Sequence, residues 1–509
     1  MVATQNDIEL ARLELAKEVY RAFDGARKSR RTQSWVATNR GPNADIKGAI
    51  GTLITRCQDL VDSDPWCGRA VSVIVNNTIG EGIEGAPAKA TKAYNRGWQE
   101  WASSPLCDFY EKLNLFGLQS LAMRTVAVRG SVLIRKHIAP ELFKEGLVPL
   151  QIQVMEPDWL DSTRDDGMTI VGGKTYDKRG KWTGAWLWDQ HPGESGISGL
   201  RMKSEWVPKS ELLHIYDVRR PGQYTGVPWG AAALLLARDI TDYASAELLK
   251  QKLAACFAGF VTDANPDSDE EGDDITETIE PGLIQRLGAG QSMTFSDPPK
   301  VEGFGDFMPY NLRALAAAWG ITYESLTGNL SDVNFSSGRM GWLEFHRNVG
   351  HWRWNITIPQ MLDPIGGWYR ELAQLTISGR IARGMVWTPP RREMINPKEE
   401  IGYLADAVRA GFMSLSEVQR SFGYVPEELL DELKKDLDEA RSRGLALSVD
   451  GQMDVGRLQA RAFADQAQGS GGASQGDAPV EPQPQPPAGD PLPRQARGGR
   501  VRAAWVPIA

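Results

Sequence analysis

Residues 205–262, EWVPKSELLHIYDVRRPGQYTGVPWGAAALLLARDITDYASAELLKQKLAACFAGFVT, run in order as a strand, a turn and a long helix. Leu212, Leu213, Ile215 and Tyr216 make a short apolar run of β-compatible residues. Pro221-Gly222 supplies turn chemistry, because proline fixes φ and glycine tolerates positive φ, and Gly226-Val227-Pro228 closes the loop. From Trp229 to about Ala258 no proline intervenes. Leu236, Ile240, Tyr243, Ala254, Phe257 and Ala258 recur on roughly one side at a helical period. Such a helix would run on the order of 40 Å. That is long for a compact domain, so it is expected to span something or to pack against copies of itself.

Outward from this stretch, composition sets bounds. A chain of 509 residues can bury several cores, and length suggests roughly two to four domains. Lys+Arg 57 against Asp+Glu 65 leaves a net charge of −8, which excludes a surface built wholly as a nucleic-acid glove. Cys57, Cys67, Cys107 and Cys256 form no CxxC pair and have no histidine at zinc-ligand spacing; reduced core thiols are expected. No apolar run approaches about 18 residues and the N-terminus lacks a signal-peptide core, so a cytoplasmic protein without a membrane span is expected. The 17 tryptophans fit extensive cores or large subunit contacts.

Several motifs mimic chemistry and fail on context. Gly80-Glu81-Gly82-Ile83-Glu84-Gly85 fits G-x-G-x-x-G, but helical periodicity precedes it, Ala86-Pro87 follows, and its glutamates would face the phosphates. Gly173-Lys174-Thr175 lacks phosphate-loop spacing, since Gly167 leaves five residues where four are needed, and no helix follows to aim amides at an anion. His346 and His351 are five apart, not i, i+4. The acids after Asp263 lack the alternating order of a calcium loop. No nucleophile–base pair, metal cluster or phosphate loop survives; a non-enzyme with no metal and no cofactor is expected.

His214, Arg220, Pro221, Gly222, Gln223, Gly226, Val227, Pro228, Trp229, Asp242, Tyr243, Ala246, Glu247 and Leu248 carry a resemblance. A His-Ile-Tyr strand, an Arg-Pro-Gly-Gln turn, a Gly-Val-Pro-Trp segment and a helix with Asp-Tyr-x-x-Ala-Glu-Leu follow one another as in the portal proteins of tailed bacteriophages, specifically the lambda-type family. The resemblance spans roughly residues 20–445. It implies an α+β, mainly helical portal fold of wing, stem, clip and crown, assembled as a ring, usually a dodecamer, around a central channel at one vertex of the capsid. It also implies the partners: double-stranded DNA held non-specifically in the channel, the terminase large subunit that supplies ATP hydrolysis, the major capsid or scaffold protein, and head–tail connector proteins. The protein would be assembled in the host bacterial cytoplasm and carried in the virion. The competing classes are another virion adaptor or minor capsid protein, and a nucleotide-binding enzyme.

On this map, residues 1–43 are an N-terminal arm with an amphipathic helix over 6–24, then Arg27, Lys28, Arg30 and Arg31; it is either solvated or grips a neighbouring subunit or nucleic acid. Residues 44–230 are the wing. Up to about 135 it is mainly helical, with Ser63-Asp64-Pro65-Trp66 as a helix start; from Val148 to His214 it is β, with Trp182, Trp186 and Trp188 on one sheet face. Residues 231–256 are the first stem helix, 257–303 the clip and 304–320 the second stem helix, which runs from about Phe307 and ends at Gly320. From Asp263 to Glu280, both included, stand nine acids and no Lys or Arg. Within that run Asp267, Asp269, Glu270, Glu271, Asp273 and Asp274 would offer partner docking.

Residues 321–338 are the tunnel loop, with Gly328, Asn329, Ser331, Asp332, Asn334, Phe335, Ser336 and Ser337 lining the channel. Uncharged polar groups suit a loop that must touch DNA without holding it, since each cation on phosphate adds grip. Residues 339–394 form a wing and spine region broken by Pro359 and Pro364, where Trp342, Trp352, Trp354 and Trp368 pack in a core or against a neighbouring copy. Residues 395–445 are the crown, with helix starts at Asn396-Pro397, Ser414 and Pro426. Residues 446–509 are a tail whose Gly, Ser, Gln and Pro cannot bury enough apolar surface to order it; its basic end either touches scaffold or DNA or is solvated.

Overall fold

The computed structural model describes residues 39–88, 90–194, 202–255, 259–263, 291–295, 304–377, 384–390, 396–422 and 424–445, with Glu9 and Ser34 as isolated positions. The 6–24 helix, the basic arm, Cys256, the acidic run and the tail lie outside the described residues. The chain divides into two compact units after Leu429.

Gly41-Pro42 opens α1 (Pro42–Ser63), with proline in the first turn where its missing N–H costs nothing. Asp64 ends α1 and starts α2 (Pro65–Thr78), its Oδ1 accepting from the Cys67 amide at 2.8 Å. Its Oδ2 accepts from Thr241 Oγ1 at 2.9 Å, so one carboxylate joins three helices. After α2 the glycine-rich stretch turns into β1 (Glu84–Pro87). Then come α3 (Lys92–Ser103) and α4 (Leu115–Arg129). The α4 helix buries Leu115, Leu118, Ala122, Met123, Val126, Ala127 and Val128, too many positions for one stripe, as expected of a helix enclosed by others.

Gly130, at φ 84°, stops α4 and turns the chain into β2 (Ser131–Ile138). An antiparallel sheet has the order β3-β2-β8, with β3 at Leu150–Met155 and β8 at Leu212–Tyr216. A second sheet runs β4 (Ile170–Val171), β5 (Lys174–Tyr176), β6 (Trp182–Trp188) and β7 (Ser204–Pro208). Trp182, Trp186 and Trp188 do share a face of β6, but only partly buried. On the other face Ala185 and Leu187 meet Leu133, Met155 and Leu212, and Trp182 also packs against that cluster.

The long helix is shorter than its sequence implies. Trp229–Ala232 is a 3-10 turn, and α5 runs Leu234–Ala255, about 33 Å. The cause is close packing: a Cβ on Gly230 would stand 2.3 Å from the Trp319 ring, so the chain is pinned at this turn before the helix begins. Strands β9 (Gly259–Asp263) and β10 (Gln291–Phe295) pair antiparallel after it. The return helix α6 (Phe304–Trp319) starts three residues earlier than expected, takes Pro309 inside, and ends at Gly320 with φ 72°. Tyr243 of α5 meets Phe307 of α6 at 4.1 Å between ring centroids.

Next come α7 (Tyr323–Thr327) and α8 (Phe335–His351), then a π-helical segment at Trp352–Leu362 and α9 (Asp363–Thr376). Pro359 and Pro364 therefore do not break the region. Pro359 sits inside the π segment, where the looser i→i+5 winding accommodates it, and Pro364 lies in the first turn of α9. β11 (Met385–Thr388) returns to pair with β1. Tryptophan indoles bind the core together: Trp101 donates to Leu150 O, Trp368 to Ser210 O and Trp387 to Asp363, all within 2.8 Å, while Trp98 stacks edge-on against Tyr369. Trp352 and Trp368 are core residues, Trp342 is half-buried, and Trp354 is exposed.

Helices α10 (Pro397–Arg409), α11 (Leu415–Ser421) and α12 (Pro426–Ser442) start where the sequence places them, with Ser414 Oγ accepting from the Glu417 amide. The described cysteines, Cys57, Cys67 and Cys107, are buried free thiols.

Candidate functional site

The signature residues build a clasp. Gly222, at φ 77°, makes the turn, and Gln223 fills it: its Oε1 accepts from the Arg219 and Arg220 amides at 3.0 and 3.2 Å while its Nε2 donates to Thr225 O. Arg220 then reaches out of the turn to Asp45 Oδ2 at 2.9 Å and Arg40 O at 3.0 Å. Asn43 completes the grip, its Nδ2 donating to Gly222 O and its Oδ1 accepting from the Tyr224 amide, both at 2.9 Å. The loop between β8 and α5 thus holds the chain where it enters α1. Gly226 is required by contact rather than by φ, since a Cβ there would lie 1.8 Å from Gly130 O. Trp229 stacks on Trp352 at 5.0 Å, tying the clasp to the π segment.

His214 lies at the centre of the same region, half-buried, 4.7 Å from the Tyr216 ring. Lys174 of β5 is buried beside it and donates through Nζ to Tyr224 O. Burial pushes the Lys174 amine down to about 7, and burial together with the nearby lysine holds His214 well below the ordinary imidazole range. The Gly173-Lys174-Thr175 stretch is therefore a hairpin that aims its amine inward, with no phosphate cradle. Likewise Gly82 packs against the Phe116 ring and the stretch leads into β1 rather than into a helix, so no helix N-terminus aims amides at a pyrophosphate there.

The loop between α7 and α8 is smaller than its composition implies. Gly328, at φ 71°, ends α7 and Asn334 caps α8, its Oδ1 accepting from the Ser337 amide at 2.8 Å while Ser337 Oγ accepts from the Asn334 amide. Phe335, Ser336 and Ser337 are thus the first turn of a helix, and the loop proper is Gly328–Asn334. Asn329 braces it, accepting from the Ser331 amide and hydroxyl, so Asn329 and Ser331 are tied together while Leu330 stays 64% exposed. Asp332 is exposed. A cavity of about 430 Å³ lies under the loop, lined among others by Tyr323, Asp332, Val333 and Arg313, whose guanidinium covers the Tyr323 ring.

Asp267, Asp269, Glu270, Glu271, Asp273 and Asp274 lie outside the described residues; β9 and β10 pair on either side of them. One donor cluster escaped sequence reasoning. Glu156, Asp158 and His191 come together, but Arg129 already bridges the two carboxylates at 2.9 and 3.0 Å, so a guanidinium supplies the cation there. Asn43, Asp45, Lys174 and Gln360 were also missed; each acts across more than a hundred residues or, for Lys174, from a stretch whose motif pointed elsewhere.

Comparison with known proteins places this geometry. Residues 28–353 match the family described as phage portal protein, lambda family, and the chain belongs to that family. A "Probable portal protein" of Halomonas phage phiHAP-1 is 25% identical over 469 residues, covering 84% of this chain and 88% of that protein. Among solved structures, a chain from the virion of a native gene transfer agent particle is 13% identical with a TM-score of 0.46, covering 74% of this chain and 93% of that one. A chain from the neck of the native particle, computed with C12 symmetry, is 13% identical with a TM-score of 0.44, covering 77% and 97%. The family assignment rests on the sequence match and not on these looser likenesses. Among the described residues, no helix is long and apolar enough to cross a membrane.

Proposed function

We propose that the chain forms the portal ring of a tailed phage, a dodecamer at one capsid vertex through which double-stranded DNA is packaged and ejected, and that it acts mechanically rather than as an enzyme. The observation that carries this reading is the lambda-family match over residues 28–353, which contains the clasp, both long helices and the Gly328–Asn334 loop. Helices α5 and α6 would stand side by side with their counterparts as the stem, and the segment between β9 and β10 would be the clip that docks the terminase large subunit and later the head–tail connectors. Gly328, Asn329, Ser331, Asp332 and Asn334 would face DNA, with Phe335, Ser336 and Ser337 behind them in the first turn of α8. The wing would meet the major capsid or scaffold protein. A net charge of −8 is compatible with DNA that slides, because few phosphate contacts mean little electrostatic grip.

The test is negative-stain electron microscopy of the purified full chain, with class averages down the symmetry axis. Rings with a central hole wide enough for duplex DNA are the expected result. A uniform monomer or dimer, unchanged when capsid scaffold is supplied, would overturn the reading.

A further inference from the structure

The π segment serves two clasps that an α-helix could not serve together. Arg353 donates through Nε to Thr78 O at 2.7 Å and through a terminal nitrogen to Asn77 O at 2.8 Å, capping the carbonyl end of α2. Gln360 pairs with the outer edge of β8, accepting from the Tyr216 amide and donating to Tyr216 O, each at 3.1 Å. Seven positions apart on an α-helix, these side chains would point within about 20° of each other. Wound at about 4.4 residues per turn, they emerge on roughly opposite sides. The strain of π winding is thus offset by two bidentate contacts on different elements, and loss of either removes the reason for that winding.

The two flanks are unequally anchored. Helix α9 buries Ile365, Trp368, Tyr369, Leu372 and Ala373 and is tied by Trp368 to Ser210 O and by Asp363 to Trp387. Helix α8 buries Phe345 and Val349 and donates from Asn348 to Gly320 O near its C-terminal end, but its earlier turns leave Met340 and Leu343 exposed and it borders a polar cavity of about 650 Å³ lined by Trp342, His346, Arg353, Asn77 and Glu81. That cavity gives α8 room to turn, and Glu81 offers the guanidinium a carboxylate once it leaves α2.

We infer that Trp352–Leu362 is a two-state register joint: when it rewinds to α-helix, Gln360 and α9 stay fixed while Arg353 lets go of Thr78 and Asn77. Helix α8 then turns about its axis and carries the Gly328–Asn334 loop with it. The joint is independent of the portal reading; only its consequence for DNA in the channel depends on it.

The experiment uses the full chain with spin labels on Met340→Cys in α8 and Leu375→Cys in α9, both on exposed positions and diluted with unlabelled subunits. Pulsed-resonance distances are then compared across backgrounds. Two distance populations are expected, shifted toward the second by Arg353→Lys, which keeps the charge but loses the rigid fork that holds Nε on Thr78 O and a terminal nitrogen on Asn77 O. Deleting Asn355, an exposed residue of the segment, should leave one population, because the surplus residue is gone. A single distance that Arg353→Lys leaves in place would overturn the joint, as would two populations that survive the deletion. Should the deleted chain fail to fold, the Arg353→Lys comparison decides alone.

Discussion

Lys174 is a cation whose amine is governed by burial, with no carboxylate paired to it among the described residues: it is 3% exposed, its amine on Tyr224 O and His214 nearby. With its folded value near 7 and an ordinary unfolded value near 10.5, the unfolded chain holds a proton that the folded chain has released between those limits. Stability therefore rises with pH across that window by about 1.4 kcal/mol per unit, and below it the penalty is constant. Lys174→Met removes this contribution, so the melting temperature of the wild type should gain on the variant between pH 7 and pH 9.5; a constant difference would refute the assignment. At Gly226 the expected effect is larger and steric. Gly226→Ala drives a Cβ into Gly130 O and should cost more than about 4 kcal/mol, read as lost soluble yield. Gly222→Ala, with positive φ but open space, should cost only about 1–2 kcal/mol. Sequence named both glycines without ranking them, because closeness of two backbones ninety-six positions apart leaves no local trace. It also singled out Gly173-Lys174 for what that stretch cannot do and could not supply what it does.

At the scale of the element, the turn after β8 owes its shape to one amide side chain. Gln223→Ala orphans two amides and a carbonyl and should destabilise by about 1–3 kcal/mol. Gln223→Glu keeps the acceptor toward Arg219 and Arg220 and loses only the bond to Thr225 O, so its melting temperature should fall between wild type and alanine; equal losses would mean that the amides do not depend on Oε1. Boundaries set by local chemistry were legible in the sequence: Asp64 as a cap, Gly320 as a stop, Ser414 and Pro426 as starts. Boundaries set by tertiary contact were not. Trp319 over Gly230 delays α5, and the Arg353 and Gln360 contacts sustain a π segment through a proline that by propensity ends a helix. The candidate loop was legible in place but not in extent, because Asn and Ser serve equally as loop residues and as the capping box that Asn334 and Ser337 form.

For the whole molecule, charge distribution matters more than net charge. Six of the 65 acids, Asp267, Asp269, Glu270, Glu271, Asp273 and Asp274, fall within eight positions, and a ring would repeat them around one rim. Such a rim attracts a basic partner from a distance and raises its association rate, an effect that fades as salt shortens the screening length. Replacing the six by Asn and Gln takes the net charge from −8 to −2 without removing an apolar side chain, so rings should form as before. Association of the terminase large subunit, followed by surface plasmon resonance, should slow about tenfold or more at low ionic strength. The two proteins should converge as salt approaches about 1 M, where screening acts within about 3 Å. If the substituted ring keeps the wild-type salt dependence, the acidic segment is not the docking surface, and contact must be sought elsewhere on the chain. If rings themselves fail, the acids hold subunits together through neighbouring cations, and a wild-type ring would then dissociate in high salt.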